Sequence, residues 1–240
     1  MHYSISTNCM INEPLSKALE IISGHTEYAE IMCDGPHYIQ NTEILESFNL
    51  KYSIHAPARG VNIASCLEPV RKAASDTICS TIQTASEIGA DVIIHPGFFA
   101  WESEYKAAEK SLCSSLSEIK SASEETDTKY YIENMGNWGY FFMKTPKDIK
   151  LLNGAEICLD VGHANECGTL DEFLKLPFSH VHLHDNLGKK DNHMQIGLGN
   201  IDFAKVMKKV EENNIAHPVI ETSDFNAALK SIEYLERLKT

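Results

Sequence analysis

Nine side chains with metal-binding chemistry recur in one kind of place. His55, His95, Glu133, Asp160, His163, His182, Asp191, His193 and Glu221 each stand at, or shortly after, the end of a short apolar or β-branched run. Imidazole nitrogens and carboxylate oxygens are the donors that suit Zn, Mn or Fe. A lone histidine at such a place is most often a hydrogen-bonded rim residue. Here six of eight runs finish on His, Asp or Glu, which buries charge at a common edge and is costly unless a partner or a cation compensates. Pro57 follows His55 by two positions and Pro96 follows His95 directly, and a residue before Pro avoids helical backbone, so the chain stays extended just past these histidines. In SHVHLHDN a period of two sends His180, His182 and His184 to one face and Val181 and Leu183 to the other. Gly162 in LDVGHAN permits a sharp exit that brings Asp160 and His163 toward one centre, and DNH places Asp191 and His193 on a shared face.

The runs that must position these groups are HYSIS (2–6), YAEIMC (28–33), KYSIH (51–55), DVIIH (91–95), KYYIE (129–133), EICLD (156–160), HVHLH (180–184) and HPVIE (217–221). Between them apolar residues recur at helical spacing: Leu15, Leu19 and Ile22; Ile78, Ile82 and Ala85; Ala108, Leu112, Leu116 and Ile119; Phe203, Val206, Met207 and Val210; Phe225, Leu229 and Ile232. Eight strand–helix units in 240 residues match the roughly 30 residues that one βα unit needs. The simplest closure is an α/β fold of the (β/α)8 TIM barrel type, a single domain over residues 1–240. A doubly wound open sheet also alternates strand and helix, but SISTNCMINEP lacks the Gly-rich phosphate-binding turn expected after its first strand. Short loops after the third, fourth and sixth strands leave little room for a second domain. In such a barrel, function collects at the C-terminal strand ends, where the nine residues lie.

Composition narrows the chemistry. A formal charge of −13, with only Arg59 and Arg71 before the last helical segment, opposes a nucleic-acid surface. No apolar run is long enough for a membrane span, and MHYSISTNCM lacks the basic patch and apolar core of a signal peptide. Seven cysteines without a CxxC pair read as reduced, mostly buried thiols in a cytoplasmic protein. Seven of the twenty aromatics (Phe98, Phe99, Trp101, Trp138, Tyr140, Phe141, Phe142) crowd the loops after the fourth and fifth strands. They are suited to cover the apolar face of a sugar, or equally to fill a seam or a contact between copies in a homo-oligomer. Gly197 and Gly199 in IGLGN would let backbone amides approach an anion. Arg59, Lys189 and Lys190 are candidates for a substrate phosphate, although exposed loop lysines are usually only solvated. His2, His25, His37, His180 and His217 have no partner in the sequence and read as structural.

Taken together, SIHAPARGVNIAS, VIIHPG, YYIENMG, ICLDVGHAN, HVHLHDN, DNHMQIGLGNIDF and PVIET resemble the xylose isomerase-like TIM barrels, which include sugar isomerases, sugar epimerases and endonuclease IV. The resemblance implies two chemistries. In an endonuclease IV-like phosphoesterase, three metals cut the phosphodiester beside an abasic site. His55, His95 and Glu133 would hold one ion, Glu133, Asp160, His182 and Glu221 a second, and His163, Asp191 and His193 a third. In the isomerase and epimerase branch, Glu133, Asp160, His182 and Glu221 would hold one divalent ion and the two glutamates would move the proton. His184 stands where the nuclease branch usually has Asn, which makes it a substrate-binding or supporting residue.

The intact ninefold set favours several metals, because five histidines and four carboxylates without ions would be a poorly satisfied polar site, and this supports hydrolysis, in which a multinuclear site clamps both oxygens of a phosphoryl displacement. Against DNA stand the acidic charge and Ala58-Arg59, which replace the Tyr-Leu wedge of the nucleases after the first ligand histidine. The expectation is therefore a divalent-metal-dependent sugar or sugar-phosphate isomerase or epimerase holding one to three Zn or Mn ions, with Glu133 and Glu221 catalytic. His184, Arg59, Trp138 and Phe98 would bind substrate. The phosphoesterase, with nucleic acid as its partner, is the alternative; a metal- or sugar-binding barrel without turnover leaves the paired glutamates unexplained.

Overall fold

The computed structural model describes residues 2–238. Eight parallel strands, β1 (Ser4–Ser6), β2 (Tyr28–Met32), β3 (Lys51–His55), β4 (Asp91–Ile94), β5 (Tyr130–Glu133), β6 (Glu156–Asp160), β7 (His180–Leu183) and β8 (Val219–Ile220), close into a ring in sequence order. Ser4 aligned with Val219 and Ile5 with Ile220 make the closing seam. The helices are α1 (Leu15–Ser23), α2 (Glu43–Glu46), α3 (Glu68–Glu87), α4 (Tyr105–Thr126), α5 (Val161–Glu166), α6 (Leu170–Phe173), α7 (Phe203–Glu212) and α8 (Phe225–Arg237). The chain is thus a single-domain (β/α)8 TIM barrel. Among the described residues, no helix is long and apolar enough to cross a membrane.

All eight expected strands are present, some trimmed. β8 keeps only two residues, because Pro218 has no N–H to give the ladder and His217 stacks on the Tyr28 ring at 3.5 Å. Between β5 and β6 the connection holds only a 3-10 turn, Pro146–Leu151, in place of a full helix. The loops after β3 and β4, expected to be short, span residues 56–67 and 95–104. Asn62 stitches them together: its side-chain amide donates to the Phe98 carbonyl, and its oxygen accepts the Phe98 and Ala64 amides. α3 begins a full ten residues before its first expected apolar position, Ile78, because the buried Arg71 is held there by Glu68 at 2.7 Å, Glu118 at 2.9 Å and Ser115 at 3.0 Å. The thiols are all free, but only Cys9, Cys33 and Cys158 are buried. Cys66 and Cys113 lie on exposed surface, so the expectation of mostly buried cysteines is corrected.

Strand alternation separates two environments. Ile5, Ala29, Ile31, Ile54, Val92, Ile94, Ile132, Leu159, Val181, Leu183 and Ile220 face outward and form one continuous core with the helices. The lumen has a separate apolar cluster of only Ile93, Tyr131 and Cys158. TIM barrels ordinarily fill the lumen with branched apolar layers. Here Ser6, Glu30, His55, Glu133, Asp160 and His182 are buried in it instead.

Candidate metal centre

At the C-terminal ends of the strands, Glu133 organises the first cluster. Its Oε2 lies 3.1 Å from His55 Nε2 and 2.8 Å from His95 Nε2. Its Oε1 lies 2.9 Å from His182 Nδ1, which also sits 3.2 Å from Glu221 Oε2 and 3.8 Å from Asp160 Oδ2. Glu133, Asp160, His182 and Glu221 are all buried, and their donor atoms gather within 4.8 Å of one another. His55, His95 and Glu133 form a second such group, and His163, His184, Asp191 and His193 a third. All nine ligand-type residues read from the sequence are therefore brought together, with His184 as a tenth.

Local structure explains how. Asp160 is the N-cap of α5, and its Oδ1 accepts the His163 amide at 2.7 Å, so the group that ends β6 also starts the helix carrying His163. Asn134 locks the neighbouring strand ends by accepting the Asp160 amide at 2.8 Å and donating to the Asp160 carbonyl at 2.9 Å. Gly162 plays a different part from the sharp turn expected. A Cβ there would lie 1.9 Å from the His184 ring, so this glycine exists to let the imidazole lie against the backbone. His184 Nε2 then meets Asp160 Oδ1 at 3.1 Å, and its ring stacks on His193 at 4.0 Å. The loop bearing Asp191 and His193 folds back through paired backbone bonds between Asp185 and Met194. Asp191 Oδ2 meets His163 Nε2 at 3.2 Å and His193 Nε2 at 3.1 Å. His193 has φ of +44°, a costly backbone state for a residue with a side chain, held by its Nδ1 against the Glu221 carbonyl at 2.9 Å. The amides of Gly197 and Gly199 do approach an anion, but it is the chain's own Asp185 carboxylate, at 3.0 and 2.9 Å.

Electrostatics follows from the crowding. Burial alone would raise the Glu133 carboxyl, yet the surrounding imidazoles hold it well below its usual range, and Asp160 is lowered for the same reasons. Burial opposes charge on His55, but Glu133 outweighs it and pushes His55 up to about 9. His95 shares the same carboxylate oxygen and goes down: burial dominates, and a second cation beside His55 is disfavoured. His193 is pushed up to about 9 as Asp191 outweighs its burial. Three buried carboxylates within one 4.8 Å group repel unless cations stand between them, and His184 Nδ1 is buried without a hydrogen bond. Three carboxylates and an imidazole form an N/O donor set that a divalent transition ion fits.

The cavity in front measures about 230 Å³ and is lined by His55, His95, Glu133, His163, Asp191, His193 and Glu221, together with Asn8, Met32, Asp34, Ala58 and Arg59. Arg59 therefore stands at the site, with Asp34 accepting its backbone amide at 3.2 Å. Lys189 and Lys190 are exposed. Phe98 and Trp138 pack edge to face at 5.2 Å and lie outside this lining, while Phe99 and Phe142 are buried in the outer core. Sequence reasoning missed Asn8, Asp34 and, most of all, Glu30; the available signal for Glu30 was an acid at an inward position of an otherwise apolar strand.

A closed parallel barrel with buried histidines and carboxylates at its C-terminal mouth defines a TIM barrel with a candidate metal site. The chain belongs to the xylose isomerase-like TIM barrel family, whose model matches residues 30–238. An uncharacterized protein of Methanocaldococcus jannaschii is 33% identical over 224 residues, covering 89% of each chain. A probable endonuclease 4 of Malacoplasma penetrans is 26% identical over 195 residues, 70% of this chain and 66% of its own. Among solved structures, a D-tagatose 3-epimerase-like protein superposes with a TM-score of 0.91 at 30% identity, covering 100% of this chain and 97% of its own. The IOLI protein, solved with a bound zinc atom, shares the fold with a TM-score of 0.80 at 18% identity, covering 100% of this chain and 96% of its own.

Proposed function

We propose that the protein is a divalent-metal-dependent epimerase or isomerase of a sugar or sugar phosphate. The observation that carries this reading is that Glu133 at the end of β5 and Glu221 just after β8 reach one small cavity and meet at His182 Nδ1, 2.9 and 3.2 Å away. A cavity of about 230 Å³ is smaller than the roughly 300–1,000 Å³ of drug-sized ligand sites, which suits a monosaccharide. The D-tagatose 3-epimerase-like structure supports the same substrate class.

A Zn or Mn ion held by Glu133, Asp160, His182 and Glu221 would polarise the substrate oxygens beside the reacting carbon. One glutamate removes the carbon-bound proton and the other returns a proton to the opposite face, which inverts the centre. His182 orients both carboxylates, and Arg59 at the cavity edge is placed to receive a phosphate or hydroxyl group. The test compares Glu221→Gln with His193→Ala in metal-loaded protein, reading exchange of sugar carbon-bound hydrogen with solvent. Exchange lost in the first and kept in the second supports the proposal; no exchange with any ketose or aldose in the unaltered protein overturns it.

The intact third group favours a second reading. His163, His193 and Asp191 meet at 3.1–3.2 Å as a separate cluster, as a multinuclear phosphoesterase would require. Phosphodiester hydrolysis abolished by His193→Ala, with about three ions per chain, would establish that reading in place of the first.

A further inference from the structure

A second cluster of ligand atoms lies in the lumen beneath the metal centre. Glu30 on β2 is fully buried. Its Oε2 accepts Ser53 Oγ at 2.8 Å and lies 2.9 Å from His180 Nε2. Its Oε1 lies 2.8 Å from His182 Nε2, yet the two are misaligned, so both atoms are buried without a hydrogen bond. Donor atoms of Cys158, His180 and His182 come within 4.8 Å of one another. His182 alone belongs to both levels: Nδ1 faces Glu133 and Glu221, and Nε2 faces Glu30.

We propose that Cys158, His180 and His182 form a second, enclosed metal site in the barrel lumen, with Glu30 against the two imidazoles, for a borderline transition ion such as Zn2+ or Co2+. Two imidazoles and a thiolate are three of the four donors of a tetrahedral N/S site, and the buried Glu30 carboxylate stands next to both imidazoles. A sulfur donor selects Zn or Co over Mg or Mn. A carboxylate and a thiolate together neutralise a divalent ion, which accounts for a thiol packed with Ile93 and Tyr131 and a buried acid against His180 and His182. The histidine is already oriented: the Tyr131 ring stacks on His180 at 5.4 Å with planes 10° apart, and the Tyr131 hydroxyl donates to Asp91 at 2.7 Å. Metal–ligand bonds of about 2.0–2.3 Å would set adjacent donors roughly 3.3–3.8 Å apart, within the 4.8 Å span of the three donor atoms.

Entry is from the opposite mouth. A cavity of about 460 Å³ at the N-terminal end of the barrel is lined by Ser53 and His180, with Lys51, Asp91 and His217 around it. On binding, the ion displaces the Cys158 thiol proton to solvent and no electrons change hands. Were both levels filled, His182 would have to give up its remaining ring proton to solvent, since Nδ1 and Nε2 face different groups.

The experiment uses cobalt-substituted full-length protein. Neither the Glu133 groups nor the Asp191 group contains sulfur, so a thiolate-to-cobalt charge-transfer band in the near ultraviolet reports the lower site alone. The expected result is such a band in the unaltered protein, its loss in Cys158→Ser with about one fewer cobalt per chain, and its persistence in Cys167→Ser. Should Cys158→Ser fail to fold, His180→Asn removes a ligand while keeping the thiol and is expected to lose the ion and the band. Cobalt bound without the band in the unaltered protein, or a band surviving Cys158→Ser, overturns the proposal. Sugar hydrogen exchange measured on the same samples reads the upper site separately, so failure of one reading is distinguishable from failure of the other.

Discussion

The two faces of the same eight strands are chemical opposites. On β6, Leu159 faces the helices within the continuous core, while its neighbours Cys158 and Asp160 face the lumen. On β7, Val181 and Leu183 do the same against His180 and His182. Because side chains alternate strictly, a slip of one residue would put carboxylates against the helices and leucine at the candidate metal centre. Stability and chemistry are thereby assigned to alternate residues of one strand, and the effect of a substitution depends first on which face it touches.

The strongest way to break this division is at Glu221. Glu221→Gln should reduce turnover about 10²–10⁴-fold by removing a proton carrier, with the urea midpoint nearly unchanged. A large loss of stability instead would mean that the lumen, too, holds the fold together. On the outer face, Leu159→Ala should cost about 2–5 kcal/mol in denaturant unfolding through the cavity it leaves, while metal content per folded chain stays constant.

pH sharpens the contrast. In metal-free protein His55 and His193 are held at about 9, above the ordinary 6.5. Their pairing with Glu133 and Asp191 therefore contributes stability that is fully present below 6.5 and is lost as pH rises toward 9. The decline should be on the order of 1 kcal/mol per pH unit for each group. Metal-loaded protein should show the opposite trend, because protons compete for the same nitrogens and metal affinity falls as pH drops. Denaturation of both forms across this range checks the pair of slopes. The smallest effect is expected at Gly162→Ala, where the added methyl meets the His184 ring. It should cost about 1–3 kcal/mol and loosen His184 from Asp160, read as weaker metal retention in the group of His163, Asp191 and His193.

The division also explains what was legible beforehand. The strands from KYSIH to HPVIE could be placed because each is a short apolar or β-branched run, and in HVHLH the alternation also told the two faces apart. Groups at strand ends stood out because an ionisable residue closed an apolar run. Glu30 and Cys158 did not, since each lies inside its strand and its partners arrive from β7, distant in sequence. Arg71 was invisible for the same reason: its burial depends on Glu118 from α4. The meaning of Gly162 required knowing that His184 folds over it.

The closing seam between β1 and β8 has a kinetic consequence. His180 and Glu30 are 150 positions apart, and Glu221 follows the strand that completes the ring. A chain emerging from the ribosome exposes His55, His95 and Glu133 long before Glu221 exists. The group of Glu133, Asp160, His182 and Glu221 is thus complete only after the most separated strands have paired. An ion held by that group would join a finished barrel, so adding it should leave the refolding rate unchanged and slow only unfolding.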